Sequence, residues 1–262
     1  MKLTLETNGF ETEYIRFGRQ GAQPMLVLPG LSLISVLTFE EGIVNAYSCY
    51  AEDRDIILPD RRKQLPESYT VSDMADDTAA FLDALGVKNA DVMGVSQGGM
   101  IAQLLAARRP DLVRSLALCS TAATLPERSG ETLRGWVQAA QQGDADALVR
   151  SFAENVYSPQ YFEAYKEGIL GMARLVGEQE LQRFAAAAKA AEGLVLSAAL
   201  SEIKAPAKVF AGAEDRIFGS ESRKELSEGL GCEVCVFEGY GHAVYDEMQG
   251  FHDKVNEFFH SV

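Results

Sequence analysis

The chain has 262 residues, enough for one large domain or two small ones with a substantial buried core. Apolar residues make up 47% and charged residues 24%, the proportions of an ordinary soluble globular protein. A formal net charge of -14 repels nucleic-acid phosphates and anionic headgroups, so neither nucleic acid nor a membrane is expected as a partner.

The first residues, MKLTLETNGFETEY, contain no apolar core of signal-peptide length. No run of about 18 apolar residues occurs either, so a cytoplasmic location is the expectation. LTLET and FETEYIRF alternate apolar and polar residues on either side of Asn8-Gly9, which predicts a hairpin. Short apolar runs follow at 25–29 (MLVLP), 55–59 (DIILP), 90–95 (ADVMGV), 113–119 (VRSLALC), 207–212 (AKVFAG) and 232–237 (CEVCVF). Runs of this length bounded by turn residues suit strands buried on both faces. Helical patterns lie between them: 71–87 with Ser72 as its N-cap, 98–110, 220–230 and 244–262. Strands alternating with helices predict an α/β fold with a mostly parallel sheet and helices on both faces. Ligands then bind outside the carboxyl ends of the strands.

Residues 125–200 break the alternation, with helical patterns and no convincing strand. They are expected to form a helical cap inserted into a core made of residues 1–124 and 201–262. Trp136, Tyr157 and Phe162 from this region, with Val244 beyond it, are the candidate substrate contacts. Cys119 sits in an apolar run, and Cys232 and Cys235 fall on a strand pattern where residues three apart face opposite ways, so no shared metal is expected. Nothing in the four cysteines demands disulfides.

One serine stands out. Gly94-Val95-Ser96-Gln97-Gly98-Gly99 falls where a predicted buried strand meets a predicted helix. A serine exposed on so sharp a turn crowds the positions two before and two after it, so both must lack a side chain. This is the pattern of a nucleophile elbow, G-x-S-x-G between strand and helix. On these residues the chain resembles the α/β-hydrolase fold family over nearly its whole length. The resemblance implies an eight-stranded sheet with an inserted cap and a serine esterase-like hydrolase, with enol-lactonases and carbon–carbon bond hydrolases as near kin.

A serine hydroxyl needs a base, and histidine suits neutral pH. Of the three histidines, His252 and His260 fall in the last helical pattern and read as a solvated face. His242 follows the last strand in the pair Gly241-His242, where the family places its catalytic histidine. Glu247 matches an acid often found a few residues further on, although Asp246 and Glu247 also suit capping of the last helix. The family's G-x-x-D after the preceding strand, counted from Gly212, places the orienting acid at Asp215, with Glu214 as its neighbouring rival. The implied triad is Ser96, Asp215 and His242, in the chain order of the family. The backbone N–H groups of Gln97 and Leu31 are the implied oxyanion donors. Pro29-Gly30 replaces the usual His-Gly before Leu31, and Lys63 in PDRRKQ stands where glycine is common. Arg61, Arg62 and Lys63 otherwise read as a solvated basic turn.

No metal or nucleotide motif occurs, and no cofactor is expected. The expected activity is hydrolysis of a small ester, lactone or related acyl substrate through an acyl-enzyme. Carbon–carbon hydrolysis, acyl transfer or perhydrolysis on the same machinery, and a non-catalytic ligand-binding protein, are the alternatives. A homo-oligomer is compatible with the sequence.

Overall fold

The computed structural model describes residues 2–66 and 68–262. Eight strands form one sheet: β1 (Leu3–Thr7), β2 (Phe10–Gly18), β3 (Gln23–Leu28), β4 (Arg54–Pro59), β5 (Ala90–Val95), β6 (Val113–Cys119), β7 (Ala207–Gly212) and β8 (Glu233–Phe237). Their order is β1-β2-β4-β3-β5-β6-β7-β8. The first two strands join antiparallel, and all pairs from β4 to β8 are parallel.

Eleven α-helices are seen among the described residues. Those before the cap region are α1 (Glu40–Ala46), α2 (Val71–Leu85) and α3 (Gln97–Arg108). Between β6 and β7 come α4 (Glu127–Gln141), α5 (Ala145–Val156), α6 (Pro159–Gly171), α7 (Glu178–Lys189) and the single turn α8 (Ser197–Leu200). The last three are α9 (Gly219–Leu230), the single turn α10 (Val244–Glu247) and α11 (Phe251–Ser261).

Alternate residues of the central strands face opposite layers, as a pleat requires. Leu26, Leu28, Val92 and Leu116 pack with Met74, Phe81 and Leu82 of α2 and Ile101 and Leu105 of α3. Met25, Val27, Met93 and Ala117 face the other way, onto Phe251, Val255 and Phe259 of α11. The helices between β6 and β7 have a smaller cluster of their own, with Trp136, Leu148, Val149 and Phe184. Leu33 and Ala243 of the main body join that cluster, so the insertion is docked by burial rather than tethered only at its ends. A lone bridge between Thr124 and Val195 closes the base of the insertion.

The structure corrects several local expectations. Thr70, not Ser72, caps α2: its hydroxyl accepts from the Asp73 N–H while the Asp73 carboxylate accepts from the Thr70 N–H. The pattern over 244–262 is two helices, broken at Gly250, whose φ is 82°. The stretch 40–46 is helical with no fully buried residue, and its adjacent Ile43 and Val44, half-buried against the core, are too short a pattern to announce it. CEVCVF is an edge strand, half-buried instead of covered on both sides. His252 is not solvated: its ring packs against Tyr47, its Nδ1 lies 3.2 Å from the Tyr50 hydroxyl, and burial pushes it down to about 4. His260 is exposed, as expected, and pairs with Asp53. Arg62 lies over the rings of Phe10 and Tyr69 and reaches Asp77, leaving Lys63 as the exposed member of the basic trio.

One buried ion cluster ties the sheet together. Asp91 of β5 is fully buried and accepts two hydrogen bonds from the Arg114 guanidinium, at 2.7 and 3.0 Å, and one from the Ser115 hydroxyl at 2.6 Å. Arg54 Nε lies 3.0 Å from the same carboxylate. Removing the shared anion leaves the buried Arg54 with Asp53 as its remaining charged partner and Arg114 with two backbone carbonyls, so Asp91→Ala is expected to lower stability by about 3 kcal/mol in a urea titration. A loss under about 1 kcal/mol, the scale of an exposed pair, would contradict this account.

Candidate active site

Strands β3, β5, β7 and β8 end at the same edge of the sheet, and the loops leaving those ends carry every candidate reacting group. Ser96 directly follows β5 and precedes α3. Its φ of 50° and ψ of -119° lie outside the regions open to ordinary side chains, a strain of about 1–3 kcal/mol. The neighbourhood holds it there. The Ser96 N–H donates to the Cys119 carbonyl at 2.9 Å, and the Ser96 carbonyl accepts from the Thr121 hydroxyl at 2.7 Å.

The glycines make this possible by close approach. A Cβ on Gly94 would lie 2.7 Å from Gly99 Cα, and one on Gly98 only 2.0 Å from the Leu28 carbonyl oxygen. A Cβ on Gly99 would strike the Thr121 side chain at 2.6 Å.

The three distant candidates meet. His242 Nε2 lies 3.0 Å from Ser96 Oγ, and His242 Nδ1 lies 2.9 Å from Asp215 Oδ2. With its proton on Nδ1, the imidazole donates to Asp215 and is free to accept from the serine hydroxyl. Asp215 Oδ1 accepts from the N–H groups of Ile217 and Phe218, at 2.8 and 3.0 Å. The side chains of His242 and Asp215 are 4% and 2% exposed, so water does not compete for these bonds. Burial pushes the Asp215 carboxyl up, but the His242 charge, its hydrogen bond and the two N–H donors outweigh it and hold the group below its ordinary value. Phe218 flanks the imidazole edge-on, with ring centroids 5.3 Å apart. Glu214 is exposed, and no contact joins it to His242.

Leu31 and Gln97 line a small cavity of about 40 Å³ together with Ser96 and His242. The Gln97 N–H is the first of α3, where helix amides have no partner inside the helix and the dipole is positive. The Gln97 side chain is tethered, its Nε2 donating to the Ala187 carbonyl of α7 at 2.6 Å. Arg61 donates to the Pro29 carbonyl at 2.8 Å, one residue before the Gly30-Leu31 turn. Sequence reasoning missed Arg61 as a brace of this loop, because the contact spans two strand ends.

Of the candidate substrate contacts, Trp136 lines the small cavity. Tyr157 lines a larger one of about 370 Å³ that shares Leu31, Phe152, Val156 and Tyr245 with it. Phe162 and Val244 line neither. Val244 is fully buried in the cluster beneath the sheet, and the Phe162 ring is buried with Lys166 over its face. Glu247 caps neither helix end by side chain; its Oε1 accepts from the Ser158 N–H at 2.7 Å, pinning the α5–α6 loop. Among the described residues no helix is long and apolar enough to cross a membrane.

A strained serine at a strand-to-helix turn, under a helical insertion on an eight-stranded, mostly parallel sheet, defines an α/β-hydrolase. The sequence profile described as the α/β-hydrolase fold matches residues 23–248, and the chain belongs to that family of enzymes. Its relatives include a pimeloyl-[acyl-carrier protein] methyl ester esterase of Neisseria meningitidis, 30% identical over 68% of this chain and 69% of that protein. A homoserine O-acetyltransferase of Thermus thermophilus is 32% identical over 70% of this chain, which spans about half (52%) of its length. Among solved structures, the enol-lactonase from Burkholderia xenovorans LB400 superposes with a TM-score of 0.84 at 24% identity, covering 98% of this chain and 99% of that one.

Proposed function

We propose that the protein is a serine hydrolase of small esters, lactones or related acyl compounds, with Ser96 as nucleophile, His242 as base and Asp215 as orienting acid. The observation that carries this reading is the unbroken hydrogen-bond chain from Ser96 Oγ through His242 to Asp215, at 3.0 and 2.9 Å. As Oγ attacks the carbonyl carbon, His242 Nε2 takes its proton, and Asp215 stabilises the imidazolium. The N–H groups of Leu31 and Gln97 receive the negative oxygen of the tetrahedral intermediate. His242 then returns the proton to the departing alcohol oxygen as its bond to the acyl carbon breaks. Water repeats the sequence on the acyl-enzyme and frees the acid and Ser96.

The esterase and enol-lactonase relatives support this class of substrate. The small cavity beside Ser96 suits the reacting carbonyl, and the larger one suits the rest of the molecule. A fluorophosphonate probe is expected to label the wild type and not Ser96→Ala, read as a mass increment on the intact protein. A wild type that resists labelling would remove the catalytic reading.

The acetyltransferase relative favours one second reading, acyl transfer, in which an acceptor alcohol replaces water. Product analysis with added alcohols separates the two, because transfer yields a new ester in place of free acid.

A further inference from the structure

The larger cavity, of about 370 Å³, is lined almost wholly by apolar and aromatic side chains. Among the described residues lining it, Asp246 alone carries a charge. Its carboxylate makes no hydrogen bond or ion pair with any described residue, unlike Glu247 beside it. The side chain is accessible, yet protein crowds it enough for burial, and then the Glu247 charge, to push its carboxyl up to about 7. The carboxylate is an accessible group on the wall of the cavity.

Aromatic rings surround it. Tyr47, Tyr157 and Tyr245 line the same cavity. After burial, the charge of Asp246 is the next largest influence raising each of their phenols. An unpaired carboxylate beside apolar walls is costly to the extent that its water shell is lost; the His242 charge pulls the Asp246 carboxyl partly back down, but no ion pair joins the two. No hydrogen bond links Asp246 to Ser96, His242 or Asp215. Tyr245 lines both cavities, so whatever Asp246 holds is continuous with the chamber of the reacting carbonyl.

We propose that Asp246 is a specificity-determining residue that binds an ammonium group on the substrate, with Tyr47, Tyr157 and Tyr245 supplying ring faces around the cation. The favoured substrates are therefore acyl compounds that carry an amine or a quaternary ammonium. A cation offsets the exposed charge of the carboxylate and gains from the negative faces of the rings. The net charge of -14 draws cations toward the protein as a whole.

The inference rests on the hydrolase reading for where the carbonyl lies, but one of its tests needs no turnover. Two p-nitrophenyl esters are compared, γ-(trimethylammonio)butyrate and the isosteric analogue with carbon in place of nitrogen. At about pH 8, where the carboxyl is ionised, the wild type is expected to prefer the cationic ester about tenfold in kcat/KM. In Asp246→Asn the preference ratio falls to near unity. By calorimetry, butyltrimethylammonium binds the variant about tenfold more weakly than the wild type. Asparagine has the same shape, and the lost carboxylate held no structural partner, so the melting temperature should not fall. No preference in the wild type, a preference retained by the variant, or equal calorimetric binding would each overturn the proposal. Failure to hydrolyse either ester would instead count against the hydrolase reading, and calorimetry alone would then decide the cation site.

Discussion

Asp215→Asn is expected to lower kcat for a p-nitrophenyl ester by about 10⁴-fold without unfolding the protein. The reason lies in which oxygen does what. Oδ1 accepts two backbone N–H groups, from Ile217 and Phe218, and Oδ2 faces His242 Nδ1. An amide nitrogen at the Oδ1 position would meet two donors with a third. The asparagine therefore turns its NH₂ toward His242 and donates to Nδ1. That fixes the imidazole proton on Nε2, where a base must be empty to take the Ser96 proton. The melting temperature and the circular dichroism spectrum should stay near those of the wild type, because the backbone bonds at Oδ1 survive. A loss below about tenfold would mean that Asp215 does not set the tautomer of His242. Glu214→Gln serves as the comparison. Its side chain is exposed, so its effect on kcat should be within about twofold.

Gly98→Ala is the second large effect, and it acts on the fold. The new methyl would sit 2.0 Å from the Leu28 carbonyl oxygen and 2.6 Å from that of Pro29. Both are backbone atoms at the end of β3, so no rotamer change relieves the clash. Either α3 lifts from the sheet or the loop bearing Leu31 moves, and both destroy the geometry around Ser96. Loss of more than about 4 kcal/mol of stability, or no soluble folded protein, is expected. Gly135→Ala is the matched control. It lies inside α4 with nothing within 4 Å of the added Cβ, so it should raise stability by about 0.5–1 kcal/mol. Urea denaturation of the pair reads both signs. A Gly98→Ala protein as stable as the wild type would show that crowding is not why a glycine stands there.

The architecture was legible because its signals are local. Six apolar runs and an alternating hairpin became the eight strands, and the sheet places the ends of β3, β5, β7 and β8 along one edge. Helix α1 was illegible for the opposite reason: it has no fully buried residue and only Ile43 and Val44 pack half-buried against the core, too short a pattern to mark a period. The break at Gly250 was hidden because one apolar pattern ran through both short helices. His252 read as solvent-facing because the rings of Tyr47 and Tyr50 that cover it come from far away in the chain.

The site divides along the same line. By itself the sequence determined the backbone demand around Ser96, since a turn that crowds its own neighbours must be written in glycine at fixed spacing. It also set the order in which serine, acid and histidine appear. The resemblance already favoured Asp215 over Glu214; only the tertiary structure decided that Arg61 braces the Leu31 loop, and that Asp246 lines a cavity while Glu247 pins the α5–α6 loop. Adjacent residues with the same chemistry are indistinguishable in a string of letters. Side-chain direction and burial separate them, and those are set by packing between segments far apart in sequence.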